Sequence, residues 1–168
     1  MKSKYFGLLV LLLLVSLNVG LCGYYYPVLP DRVASEFDLQ GNEIKAMPKG
    51  TFMAFNGTLA LAMPAFLLVL GWGCTKLPNW MIDMPNRDYW LAPQRKPETA
   101  KSLFLFILWL AVGVEAFLTS ILFFVFRANL GHPEAMGLVP YYCLSTFLAF
   151  IAVWCAWFVI KFKKLPQK

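Results

Sequence analysis

Glu115 is the residue whose position most demands a chemical explanation. It is the one ionisable side chain in residues 102–126. An ionised acid near the middle of a bilayer costs several kcal/mol, so such groups face a bundle interior and take a partner. Helical spacing puts Glu115 on one face with Ala111 and Thr119. Ser16 and Asn18 lie at a similar depth in the first apolar run, counted from its basic end. The expectation is a protonated or hydrogen-bonded Glu115 that joins the first and third apolar helices. Two roles fit it: a polar clamp within or between subunits, or a step on a proton or ion path. Asn56, in the outer third of the second apolar run, is a further intramembrane polar candidate beside Asn18.

A second group lies in residues 77–98, the densest polar and aromatic stretch. Arg87 and Asp88 are the right groups for an ion pair that folds this loop, and Asn86 precedes them. Arg87 could equally fork onto a lipid phosphate. One acid beside an arginine, with no histidine, cysteine or metal cluster, lacks the partnered groups that catalysis needs, so no enzyme is expected. Trp80, Tyr89 and Trp90, with Met81 and Met84, are too apolar to float in water. They fit either a segment lying on lipid headgroups or a docking surface for another protein, since aromatics and arginine are common anchors.

Other chemistries find less support. Glu36, Asp38 and His132 could meet around a hard cation, but no ligand spacing links them, and they read as solvated loop residues. No metal and no cofactor is expected. The four cysteines form no Cys-x-x-Cys pair. Topology would allow only Cys22 to pair with Cys143, and buried free thiols are the expectation. The chain contains no phosphate-cradling glycine loop, no Gly-x-Ser-x-Gly elbow and no zincin helix.

The elements that hold these residues follow from composition. Of 168 residues, 60% are hydrophobic and 14% charged, with mean hydropathy +0.62; soluble domains carry about a quarter charged residues. Residues 5–30, 50–75 and 137–160 carry no charge at all. Together with 102–126, each reaches the roughly 20 residues that cross about 30 Å of hydrocarbon. The formal charge of +6 is not gathered in a basic, aromatic-interleaved groove, which argues against nucleic acid as a partner. Eleven of the fifteen lysines and arginines flank the N-terminus, the central loop or the tail (Lys168 included). The positive-inside rule therefore predicts both termini and the central loop on the cytoplasmic side.

Met1 to Tyr26 has the basic start and leucine run of a secretory signal, but its apolar stretch is long, and a retained first span is expected. Pro27 and Pro30 end that helix. Val33, Ser35, Phe37 and Leu39 alternate with Ala34, Glu36 and Asp38, predicting a short strand before a turn at Gln40-Gly41-Asn42. Pro64 is expected to kink the second span. Ala54, Thr58 and Ala62 predict a small-residue packing face on it. Pro78, Pro85, Pro93 and Pro97 bar a long helix from the central loop.

The phrase from Tyr26 through Pro30, Asp31, Arg32 and Val33, followed by Glu36, Phe37, Asp38, Gly41 and Pro48-Lys49, resembles a bacterial membrane-domain family of unknown function. That family forms the N-terminal domain of the immunity proteins that protect Bacillus cells from the sporulation-delaying toxin. Residues 84–93 look like a motif of one stand-alone group of its relatives. Glu36 stands where the family has histidine, and the C-terminal helices of the immunity proteins have no counterpart. The resemblance implies a fold and a membrane address more than a mechanism.

The expected architecture is a single all-α integral membrane domain over 1–168. Its four transmembrane helices fall near 5–26, 51–73, 102–126 and 138–160. A small extracytoplasmic cap follows the first, and the proline- and aromatic-rich loop joins the second to the third. The expected role is a non-enzymatic accessory, receptor or immunity-like protein of a bacterial inner membrane. It would sit in the lipid bilayer with a protein partner or a second copy, and would act through helix and loop contacts. The alternative is a small transporter or channel component using Glu115.

Overall fold

The computed structural model describes residues 2–74 and 76–164, so Thr75 and Lys168 lie outside the described residues. The charge-free runs become helices because a helix satisfies every backbone donor and acceptor within one segment. In chain order the elements are α1 (Lys2–Tyr25), β1 (Arg32–Phe37), β2 (Glu43–Pro48), α2 (Lys49–Cys74), the short α3 (Arg87–Trp90), α4 (Lys96–Asn129) and α5 (Val139–Lys163). Single 3-10 turns occupy Asn79–Met81 and Pro133–Met136. The fold is mostly helical, and four of its helices are long and apolar enough to cross a membrane.

α4 is the hub: α1, α2 and α5 all pack on it. Its buried residues, among them Phe106, Leu108, Ala111, Leu122 and Phe126, serve all three neighbours, whereas α5 buries only Phe162. α4 runs well beyond the expected 102–126. Pro97 does not block it, because proline in the first turn of a helix gives up an N–H that has no partner there anyway.

α2 continues through Pro64, which is itself buried. Its packing face is not Ala54, Thr58 and Ala62, which are exposed. The buried stripe is instead Phe52, Ala60, Pro64, Leu67 and Gly71. Four-residue spacing of small side chains permits close approach without selecting it. Here Phe52 and Leu67 set the phase, and a Cβ on Gly71 would come within 3.2 Å of Ile107 on α4.

The loop after α1 is an antiparallel hairpin. Arg32 pairs with Pro48, Val33 with Met47 and Ala34 with Ala46 before the register shifts at Glu36. The alternation in 33–39 located the first strand; the second, Glu43–Pro48, alternates only over Glu43 to Ala46 and adds a strand to the expected cap. Gly41 takes φ +85° at the turn, and a side chain there would strike the backbone of Pro133. Asn129, at the end of α4, receives the backbone N–H of Ala34 at 2.7 Å and returns its amide N–H to the Ala34 carbonyl at 3.1 Å. One side chain thus imitates a neighbouring strand and seats the hairpin on the bundle.

Candidate functional site

The helices close around one polar cluster. Glu115 is fully buried on α4, one turn below Thr119 and one turn above Ala111, both also buried. From α1, Asn18 donates its amide N–H to the Thr119 hydroxyl at 3.2 Å. Asn18 lies beside the Glu115 carboxyl without closing a well-formed hydrogen bond to it. Both carboxyl oxygens and Oδ1 of Asn18 are thereby left as buried acceptors with no donor. The first and third long helices are joined by Asn18 and Thr119, not by Glu115, the residue expected to link them. Ser16, the other residue at that depth, is exposed.

Asn18 also lines a cavity of about 380 Å³ that runs beneath the hairpin between α2, α4 and α5. Ser35, Asn56, Phe117 and Leu144 form part of its wall. Asn56 spends its amide N–H on the Phe52 carbonyl of its own helix at 2.9 Å, so it adds polarity to the cavity without bridging helices. A second cavity of about 250 Å³ lies at the opposite end of the same seam. It sits between Cys74 on α2, Leu103 and Phe106 on α4, and Trp154 and Phe158 on α5.

The hairpin residues have structural partners. Lys49, at the start of α2, is largely buried. It donates to the Leu29 carbonyl at 3.0 Å, approaches Asp31 at 3.7 Å and lies over the Tyr26 ring at 5.2 Å. Its backbone N–H also reaches the Asp31 carbonyl at 2.8 Å, closing the base of the hairpin beside the exposed Pro30. Phe37 packs against the apolar cluster of Val33, Phe52 and Phe126. Glu36 pairs with Lys45 at 3.1 Å, and His132 pairs with Glu134 at the same distance. Asp38 caps the turn. Hydrogen bonds from Asn42, its side chain first and its backbone second, hold the Asp38 carboxyl below its ordinary range. The three residues weighed as cation ligands thus have three separate partners, and among the described residues no group of three or more His, Cys, Asp or Glu could hold a metal ion. Cys22, Cys74, Cys143 and Cys155 are free thiols.

The central loop divides in two. Trp90 and Met84 fold inward, with Met84 buried against Leu91, Leu103, Phe106 and Phe162, while Asn86 is exposed. Arg87 and Asp88 do approach at 3.7 Å, but Asp88 is fully exposed and adjacent in sequence, so their pair cannot fold the loop. Asn86 does so, reaching the carbonyls of Phe162 and Lys163 at 3.2 and 2.9 Å. Tyr89 stacks edge-on against Trp90 and carries the Arg95 guanidinium over its ring at 3.8 Å. Trp80 and Met81 stay outside, with Trp80 75% exposed. Asn129 and Phe162 were missed in the sequence: one is a terminal asparagine and the other accepts the loop's donors through its backbone carbonyl.

Four long apolar helices and an acid shut between them are the features of a multi-pass membrane protein. No protein-family model, curated protein or solved structure matches the chain.

Proposed function

We propose that this chain spans a bacterial inner membrane four times, with both termini and the central loop in the cytoplasm. It acts without catalysis, as an accessory, receptor or immunity-like protein that binds another membrane protein. The lysines and arginines concentrated at the loop end support this orientation through the positive-inside rule. The resemblance of residues 26–49 to the immunity-related membrane family points to the same class of role.

The observation that carries the binding reading is the open seam between α2 and α5. Both helices flank α4, yet α5 packs on α4 and the Pro133–Met136 turn rather than extensively on α2. The two cavities lie along that seam, and Met81, next to the exposed Trp80, lines the one at the loop end. A transmembrane helix laid into the seam would meet three helices at once and reach Trp80 at its cytoplasmic end. Packing of this kind is what drives association within lipid. Photo-crosslinking groups at Leu144 and Trp80 should capture one protein, a partner or a second copy, and a group at Phe6 should not. Capture of lipid alone from both seam positions would reject the reading. Cysteine labelling from each side of the membrane, with Ser35 and Asp88 on opposite faces, tests the orientation.

A second reading, a small transporter or channel component, draws on the buried acid whose oxygens lack donors. Ion- or proton-dependent flux in liposomes, lost in Glu115→Gln, would support it.

A further inference from the structure

We propose that Glu115 is a proton-binding site in exchange with the hairpin-side cavity, its acid O–H donating to Oδ1 of Asn18. The proposal rests on the local inventory of donors and acceptors, and it holds whether or not the site carries flux. Three acceptors are buried together: Oε1 and Oε2 of Glu115 and Oδ1 of Asn18. The Asn18 amide has two N–H groups: one is spent on Thr119, and the other approaches the carboxyl without reaching hydrogen-bond geometry. A buried carboxylate with no donor is among the costliest arrangements in a protein interior, and a single proton resolves it. Protonation turns one carboxyl oxygen into a donor and gives Oδ1 of Asn18 its missing partner.

The surrounding elements supply no alternative positive charge. α1 presents Asn18, with Cys22 and Tyr25 toward the hairpin and Lys4 at the far end. α2 carries no charged residue from 50 to 74, and its titratable side chain in that span is Cys74 at the opposite end. On α4 the nearest cations are Lys101 and Arg127, more than three helical turns from Glu115 in either direction. α5 contributes Tyr141, Tyr142 and Cys143 toward the hairpin end and its first lysine at 161. None of these cations forms an ion pair with Glu115, so the compensating charge has to arrive from solution.

Asn18 supplies the route. It belongs to the buried cluster and to the wall of the cavity, where Ser35 and Asn56 add further polar groups. A hydronium ion reaching Asn18 delivers its proton to the carboxylate and leaves as water; the reverse step releases the proton to the same side. The site closes when the Asn18 amide returns to Thr119.

Infrared spectroscopy of the protein in lipid nanodiscs at neutral pH tests this directly. The expected result is a carboxylic-acid C=O band that is lost in Glu115→Gln and shifts when the sample is moved into D2O. Uniform 13C-glutamate labelling of the unaltered chain assigns the band even if the variant fails to fold, because Glu36, Glu43, Glu98 and Glu134 are all exposed and Glu115 is the buried one. Leu144→Trp, which narrows the cavity, should slow the deuterium shift without removing the band. Absence of a glutamic-acid band at neutral pH would overturn the proposal. So would a band that never exchanges in the unaltered protein, or a Na⁺-dependent rise in melting temperature that Glu115→Gln abolishes, which would make the ligand a metal cation.

Discussion

The indole N–H of Trp90 donates to the main-chain carbonyl of Phe162 at 2.7 Å, joining residues 72 apart in the chain. Asn86 reaches the same carbonyl and its neighbour at Lys163. The last carbonyls of a helix have no partner within it. Here the central loop supplies donors to the end of α5, and the loop is shaped by that task. Asn86 adopts φ +52°, a left-handed conformation that asparagine tolerates better than most residues.

Two substitutions separate these contributions. Trp90→Phe keeps an aromatic ring against Phe162, whose centroid lies 5.5 Å away, and loses the donor. Asn86→Ala loses both hydrogen bonds and strains the left-handed backbone. Each hydrogen bond contributes about 1 kcal/mol, so Asn86→Ala should lower stability more than Trp90→Phe. Thermal unfolding in detergent measures this, and faster proteolysis within residues 78–95 should accompany it.

Lys49 allows a similar separation at the hairpin. Its ammonium is held by the Leu29 carbonyl inside the fold, while its acidic neighbour Asp31 stands fully in solvent. Lys49→Met keeps the buried stem and removes the donor, and should cost about 1–3 kcal/mol, the range for leaving a buried acceptor unpaired. Asp31→Asn should leave the melting temperature nearly unchanged, since exposed ion pairs contribute little. Parallel thermal melts decide the matter; equal losses in the two variants would mean that the ion pair, not the carbonyl contact, secures the hairpin.

The helices were legible because hydrocarbon-length runs without charge have few alternatives, and Glu115 stood out against that background. That Asn18 lies beside it could be reached by counting depth along two helices, but not that Asn18 bonds Thr119. The face of α2 was misplaced because small residues fall on two sides of that helix, and only the bulk of Phe52 and Leu67 shows which side is packed. The latch on α5 was out of reach, since its acceptors are backbone carbonyls that no side-chain pattern marks. The role of Asn129 was hidden for the same reason: its partners are the backbone groups of Ala34.

The hairpin tip should respond to acid. Asp38 accepts from Asn42 through side chain and backbone, and from the Gln40 N–H at 2.9 Å. Its folded-state pKa is depressed, so the stability it contributes is present above the unfolded value of 3.8 and is lost as pH falls through the folded value. NMR signals of the Gln40 and Asn42 amides should therefore move toward unstructured positions only under strongly acid conditions. In Asp38→Asn the charge is gone, and the same amides should show no such transition.

Phe150 of α5 covers Gly113 of α4 so closely that any side chain at 113 would enter its ring. This is one close contact between α5 and the hub; others run from Phe106 to Trp154, Phe158 and Phe162. Gly113→Val should force the helices apart at a cost of about 1–3 kcal/mol, the usual range for overpacking. Phe150→Ala alone should cost stability through lost packing, yet combined with Gly113→Val it should recover part of the loss. Residues in contact give non-additive double mutants, so thermal melts of the four chains yield the coupling directly. Additive losses would show that α5 is held elsewhere, by the latch at Phe162. The cycle also bears on binding, because moving α5 alters the width of the seam it shares with α2. If that seam receives a partner helix, crosslinking from Leu144 should fall in Gly113→Val and return in the double variant, while crosslinking from Trp80, beyond the helices, should change less.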